Sequence, residues 1–176
     1  MFLLVRIPGI TYQSRCQLNG FEKGWFFANS ISCGVESRDP GISVDQESTA
    51  GHGPSFQQLR ISKQVDGGTP QAMVNCTKGH QFDFLEVQVV ETASTQAGVH
   101  PYFMMRFAGV CLANWSVGIA KAKMAETLLF TYSSIACQFL RTKDGVNYKL
   151  AANKGWTIDE RSAEWKYEFK LRGLTQ

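Results

Sequence analysis

The chain has 176 residues, 44% hydrophobic and 12% aromatic, with a formal charge of +3, a size and composition that suit one folded domain and exclude a largely disordered chain. Residues 141 to 172 carry eight Lys or Arg against five Asp or Glu, whereas the first 140 residues carry ten of each. The basic excess is too sparse for a nucleic-acid footprint, and no apolar run approaches the roughly 20 residues that cross a bilayer, so neither nucleic-acid binding nor membrane insertion is expected.

The first strand is expected over Phe2 to Ile7, closed by Pro8-Gly9. The second runs from Trp25 to Val35, with Trp25, Phe27, Ile31, Cys33 and Val35 on one face and Asn29 interrupting it. Residues 36 to 54 are mostly Gly, Asp, Glu, Ser and Pro, with Ile42 and Val44 as a small apolar pair, and a loop of that length inside a domain points to contacts. Phe56 to Val65 returns as a strand with Leu59, Ile61 and Val65 facing inward, and Asp66-Gly67-Gly68 turns it into the one expected helix. Thr69 can cap that helix, Pro70 suits its first turn, and Gly79 can take the left-handed stop after Lys78. Met73, Cys76 and Ala72 form its expected inward side.

Phe82 to Val90 alternates Leu85, Val87 and Val89 with Glu86 and Gln88. In the long strand Tyr102 to Ile119, the positions Phe103, Met105, Phe107, Cys111, Ala113, Trp115, Val117 and Ile119 are expected to fill one face. Met124 to Arg141 matches it, but the apolar phase passes from Leu128, Phe130 and Tyr132 to Ile135, Cys137 and Phe139, which predicts a β-bulge at Ser133-Ser134. Strands this long suit a strongly curled sheet. The expected fold is mainly β with one short helix, the long strands contributing to both halves of a barrel or a sandwich. In the tail, Trp165, Tyr167, Phe169 and Leu171 alternate with Glu164, Lys166, Glu168 and Lys170, a half-buried strand whose aromatic face needs cover within the subunit or on a neighbour.

No catalytic constellation emerges, and no enzyme activity, cofactor or metal is expected. His52, His80 and His100 fall in or near turns with neither a zinc motif nor a phosphate loop beside them. Cys76 with His80 is the best fragment for nucleophilic chemistry, yet a helix-face thiol reads first as packing. Asp83 and Glu86 point to opposite faces of one strand, and Glu126 stands isolated. The five cysteines lack zinc-like spacing and read as reduced thiols. Cys16, in a polar turn, is expected to react first, ahead of Cys33, Cys76, Cys111 and Cys137. The sequons at Asn75 and Asn114 fall within the helix and the long strand and read as chance matches.

The order of these segments resembles the Hcp family, the tube protein of bacterial type VI secretion systems. The resemblance runs through Phe56-Gln-Gln-Leu-Arg-Ile-Ser-Lys63, Asp66-Gly-Gly-Thr-Pro70, the helix to Cys76 and Gly79, Tyr102-Phe-Met-Met-Arg-Phe107, Glu126-Thr-Leu-Leu-Phe-Thr-Tyr132 and Gly155-Trp-Thr-Ile-Asp159. It covers roughly residues 2 to 159. Tyr12-Gln-Ser-Arg15 and Thr69-Pro70 depart from the family's usual Gly-Glu-Ser and Ser-Pro, and residues 160–176 extend past its usual end.

The resemblance implies a mainly β fold, a small closed β-barrel of antiparallel strands with one short side helix over 1–159, with 36–54 as an extended contact loop and 160–176 as an amphipathic extension. It implies a structural inner-tube subunit, a homo-hexamer in stacked rings that carries effectors and meets sheath and spike proteins. Such a protein is cytoplasmic before firing and then secreted without a cleavable signal; the opening Met1-Phe-Leu-Leu-Val-Arg6 offers no basic leader. Asp39, Ile42, Val44 and Gln46 in the loop, with Trp165, Tyr167 and Phe169 in the tail, are the expected subunit or ring contacts. The alternative from composition and strand length is a monomeric β-barrel binding a small hydrophobic ligand.

Overall fold

The computed structural model describes residues 1–10, 16, 18, 21, 24–36, 54–92, 99–120, 123–142 and 148–158. Among them the chain forms eleven strands and one helix: β1 (Phe2–Arg6), β2 (Trp25–Phe27), β3 (Ser30–Ser32), β4 (Val35–Glu36), β5 (Ser55–Phe56), β6 (Leu59–Gln64), α1 (Thr69–Thr77), β7 (Gln81–Thr92), β8 (Val99–Ala120), β9 (Lys123–Thr131), β10 (Ser134–Thr142) and β11 (Tyr148–Thr157). Nine strands make one antiparallel sheet in the order β2-β1-β7-β8-β9-β6-β3, with β10 paired to β8 and β11 to β10. The short β4 and β5 pair with each other. The fold is thus mainly β with one helix.

The pairing path is not closed by a ladder between its ends, β2 and β3. Those ends are nevertheless consecutive in the chain, separated by Ala28 and Asn29 alone. The Ala28 N–H donates to Leu3 O at 2.9 Å, beside β1, and the Asn29 N–H donates to Ser62 O at 2.7 Å, in β6. The expected single strand Trp25 to Val35 is therefore divided at Asn29, where the chain leaves one strand partner for another. The step changes its inward parity. Phe26, Ala28, Ile31 and Cys33 meet the main core, whereas Trp25 joins a smaller cluster with Leu4, Cys16, Phe21 and Val90, and Phe27 and Val35 are exposed.

The main core gathers Val5, Ile7, Leu59, Ile61, Leu85, Val87, Phe107, Leu128 and Phe130, nearly all without solvent exposure, so side chains fill the sheet's inner side. The expected face of β8 is corrected here. Phe103, Met105 and Phe107 do point to this core, but Val110 and Leu112 follow them inward, then Trp115; Ala113, Val117 and Ile119 are exposed. Two irregularities shift the phase. One is Gly109, at φ +58°, and the other is the register shift between Leu112 and Asn114. Opposite Gly109, the expected bulge at Ser133-Ser134 is a break between β9 and β10. Ala108 pairs with Ser134 and Cys111 with Thr131, leaving two residues on each strand, so neither strand gains a residue. The core-facing parity still passes from Leu128 and Phe130 to Ile135 and Cys137 as the sequence pattern requires.

The helix forms where expected and packs on β8. Gly68, not Thr69, is its N-cap, and no side chain caps it. Thr69 instead accepts the Asp66 N–H through Oγ1 at 3.1 Å, and Asp66 Oδ1 accepts the Gly68 N–H at 2.9 Å, which tightens the entering turn. Gly79, at φ +59°, takes the left-handed stop, and its N–H donates to Cys76 O. Ala72 and Asn75 are buried while Met73 is exposed, so the inward stripe is Thr69-Ala72-Asn75 with Cys76 at its border. β11 extends N-terminally past the expected Gly155-Trp156 segment, beginning at Tyr148.

Candidate interaction surface

Two groups of polar side chains in the folded body are engaged with one another. Lys63, at the parity of Leu59 and Ile61 in β6, is turned inward with 1% of its side chain exposed, against Glu126 of β9 at 0%. Its Nζ lies 2.6 Å from Glu126 Oε1 and 3.0 Å from Asp66 Oδ2, donates to Gln64 O at 2.7 Å, and sits 5.5 Å from the centre of the Phe26 ring. Trp115 Nε1 donates to Glu126 Oε2 at 3.0 Å. The sequence reading of Glu126 as isolated is thus corrected: it ties β6, β8, β9 and the turn before α1 into one buried network. The Lys63↔Glu126 register across the β6-β9 ladder brings the two charges face to face.

On the other side of the sheet, Arg6, Glu86 and Arg106 stand in one row across β1, β7 and β8. Arg6 and Arg106 reach Glu86 at 2.9 and 2.7 Å, and both guanidinium groups lie over the Phe84 ring, Arg106 at 3.8 Å from its centre. The row borders an open cleft of about 390 Å³ beside Gly24 and Ile10, too shallow to enclose a ligand.

Cys76 and His80 show no nucleophile-base arrangement. Cys76 lines the core edge, and the His80 ring meets Phe82 edge-on at 4.7 Å. Among the described residues, no three His, Cys, Asp or Glu side chains gather as for a metal. Burial raises the Cys33 thiol, pushes Cys137 up to about 11 and pushes Tyr132 up to about 12, the neighbouring thiols adding to the last two. These three groups favour their neutral forms, the opposite of an activated thiolate. Cys16, expected in an exposed turn, is only 3% exposed and packs with Phe21 and Trp25.

What the body leaves available is backbone edge and apolar surface. β8 pairs with β7 up to Cys111 on one side and with β10 over Phe103–Ala108, then β9 from Cys111, on the other; past Cys111 β9 is its strand partner among the described residues, and α1 also packs on β8. Toward the β8-β9 hairpin tip both faces are solvated, and Val117, Ile119 and Met124 are exposed. β11 pairs with β10 alone, and residues 150–154 are exposed on both faces, with Leu150 the largest apolar group. A third apolar patch joins Phe2 and Phe27, with ring centres 5.7 Å apart, to Met1, Tyr102 and Phe139. The expected contact residues Asp39, Ile42, Val44, Gln46, Trp165, Tyr167 and Phe169 lie outside the described residues. The strand edges could be found from sequence only once β8 and its partners were known to differ in length.

Among the described residues the fold is an antiparallel sheet around a filled core with one side helix. The family model described as "Type VI secretion system effector, Hcp" matches residues 10–139, and the chain belongs to that family. It is a subunit of the type VI secretion tube, and its family is a structural one and not an enzyme family. Among solved structures, one described as a type six secretion system protein aligns over 92% of this chain and 99% of its own with a TM-score of 0.77 at 16% identity. Hcp1 from Salmonella typhimurium aligns over 91% and 96% with a TM-score of 0.67 at 12% identity. A type VI secretion system effector from Yersinia pestis aligns over 89% and 99% with a TM-score of 0.64 at 13% identity. At such identities these likenesses speak for the fold. No curated protein sequence matches the chain.

Proposed function

We propose that this chain forms a closed barrel that assembles as a homo-hexameric ring, that rings stack into the tube, and that the tube carries effectors and meets sheath and spike proteins. The observation that carries the reading is the family match over residues 10–139. The closed barrel is supported by the two-residue junction at Ala28-Asn29, which hands the chain from β1 to β6 and brings the two ends of the sheet together. Among the described residues side chains pack the inner side of the sheet, which supports the tube reading over the small-ligand alternative.

In this reading the segment 36–54, through Asp39, Ile42, Val44 and Gln46, contacts the neighbouring subunit or ring. The extension 160–176 buries Trp165, Tyr167 and Phe169 within the assembly. The subunit has no catalytic role, cofactor, nucleic acid or membrane-inserted state, and it passes from the cytoplasm to the exterior without a cleavable signal. No helix among the described residues is long and apolar enough to cross a membrane.

Native mass measurement at micromolar concentration tests the ring: a six-fold mass is expected, and a stable monomer throughout overturns it. Deleting Asp39 to Thr49 should leave the subunit folded and weaken stacking; loss of folding would place the loop in the core. Truncation after Asp159 tests the extension, expected to lower subunit stability or assembly. Change in neither property would make the extension an appendage.

A further inference from the structure

We infer that the C-terminal segment 160–171 folds back within its own subunit over the outer face of β8 and β10, with Trp165, Tyr167 and Phe169 packed on Met104, Ala136 and Leu140. The inference deepens the reading of 160–176 as a buried extension and names the surface that receives it.

β10 is buried on both faces. Ile135 and Cys137 pack on the main core, yet Ala136, Gln138 and Leu140, which alternate with them and point the other way, are 1%, 5% and 2% exposed. The neighbouring strands agree: Met104 of β8 pairs with Gln138 on one side and with Gln88 of β7 on the other, and both Met104 and Gln88 are buried. The outer face of an antiparallel sheet left to water carries exposed side chains. This one is therefore covered, and the cover stops at β10, because Leu150 of β11, opposite Leu140, is exposed.

Neither core cluster of the described residues contains Met104, Ala136 or Leu140, so their cover comes from elsewhere in the chain. Composition selects the segment. Cys16, Leu18 and Phe21 are committed to Leu4 and Val90 at the β1 side, and the rest of 11–23 offers Tyr12 as its one large apolar group. Residues 93–98 and 143–147 have Val146 as their bulkiest apolar side chain, and 37–53 have Ile42 and Val44. The tail brings an alternating row of Trp165, Tyr167, Phe169 and Leu171, whose burial leaves Glu164, Lys166, Glu168 and Lys170 facing water.

The exit point fits as well. The Ile158 N–H donates to Ser133 O at 2.7 Å, which holds the chain at the end where β10 begins. From Ser134 to Leu140 that strand rises about 20 Å. Residues 159–171 span about 40 Å when extended, enough to turn there and run the length of β10.

Methionine oxidation by hydrogen peroxide, read by peptide mass, tests the cover. Met1 and Met124 are exposed and serve as open references in the same chain. Met104 should oxidise more slowly than Met124 in the full chain and at a rate close to it after truncation at Asp159, with circular dichroism reporting that the sheet persists. A truncated, folded chain whose Met104 stays protected would overturn the inference. Because truncation can also unfold the chain, the substitution Phe169→p-benzoylphenylalanine in the full chain supplies a second reading. Illumination should link it to peptides of β8 or β10 at the mass of one chain. A link to a second chain, or elsewhere in its own, would overturn this placement while leaving a buried extension; a link to nothing would overturn both.

Discussion

Gly109 and Ser133 approach so closely across the β8 and β9-β10 junction that a Cβ on Gly109 would collide with Ser133 Oγ. Ser133 uses that proximity: its N–H donates to Ala108 O at 3.0 Å and its hydroxyl to the same oxygen at 3.2 Å. Gly109 also holds φ at +58°, a conformation costing a side-chain-bearing residue about 1–2 kcal/mol. Here the break between β9 and β10 lies opposite the positive-φ Gly109 within the continuous β8, and the inward parity changes on both sides. Gly109→Ala should therefore destabilise the subunit by roughly 2–3 kcal/mol, strain and clash combined, read as a lower urea midpoint. Adding Ser133→Gly should relieve the clash while leaving the backbone strain and removing the hydroxyl hydrogen bond to Ala108 O, so recovery is partial.

The Lys63-Glu126 pair should behave as a buried ion pair. Glu126→Ala leaves the Lys63 ammonium to Asp66 and the Gln64 carbonyl and takes the acceptor from the Trp115 N–H, and a loss of about 3 kcal/mol, the lower end for a broken buried pair, is expected in denaturant unfolding. The double substitution Lys63→Met with Glu126→Leu should cost much less, because it removes both charges at similar volume. Equal losses in the single and double variants would show that packing, not charge, dominates the site.

Alkaline pH should weaken the fold through Tyr132 and Cys137. Their folded values, about 12 and about 11, lie above the ordinary 10.0 and 9.0 because burial disfavours the anions. A raised folded value means that the stabilisation is complete below pH 9 and is lost as pH rises toward 12, since the unfolded chain releases these protons first. Thermal melts from pH 8 to 11 should show falling midpoints, and Tyr132→Phe should flatten the upper part of that decline.

Thiol labelling should leave Cys16 among the last to react in the native protein. It is buried with Phe21 and Trp25, whereas Cys33, Cys76, Cys111 and Cys137 keep partial exposure. Peptide mapping after a timed pulse of a maleimide reads the order. Early labelling of Cys16 would mean that the packing around β1 and β2 opens readily.

Local pattern determined a good deal of this protein. Alternation located most of the strands, Asp66-Gly-Gly-Thr-Pro70 and Gly79 bounded the one helix, and the phase change after Tyr132 marked the break between β9 and β10, because each signal is written within a few residues of chain. The sequence order of these pieces also pointed to the Hcp family, as the family match bears out.

Tertiary structure decided what depends on a distant partner. Lys63 and Glu126 look like ordinary surface charges until the β6-β9 register sets them opposite each other inside the core. Cys16 sits among polar neighbours in sequence, yet Phe21, Trp25 and Leu4 enclose it. Along β8, strict alternation predicted one apolar face, but Gly109 and the irregularity before Asn114 reset the parity twice, and only the pairing with β9 and β10 reveals where. Periodicity reports which residues share a face over a few positions; which face is buried, and where an edge stays open, is fixed by strands far away in the chain.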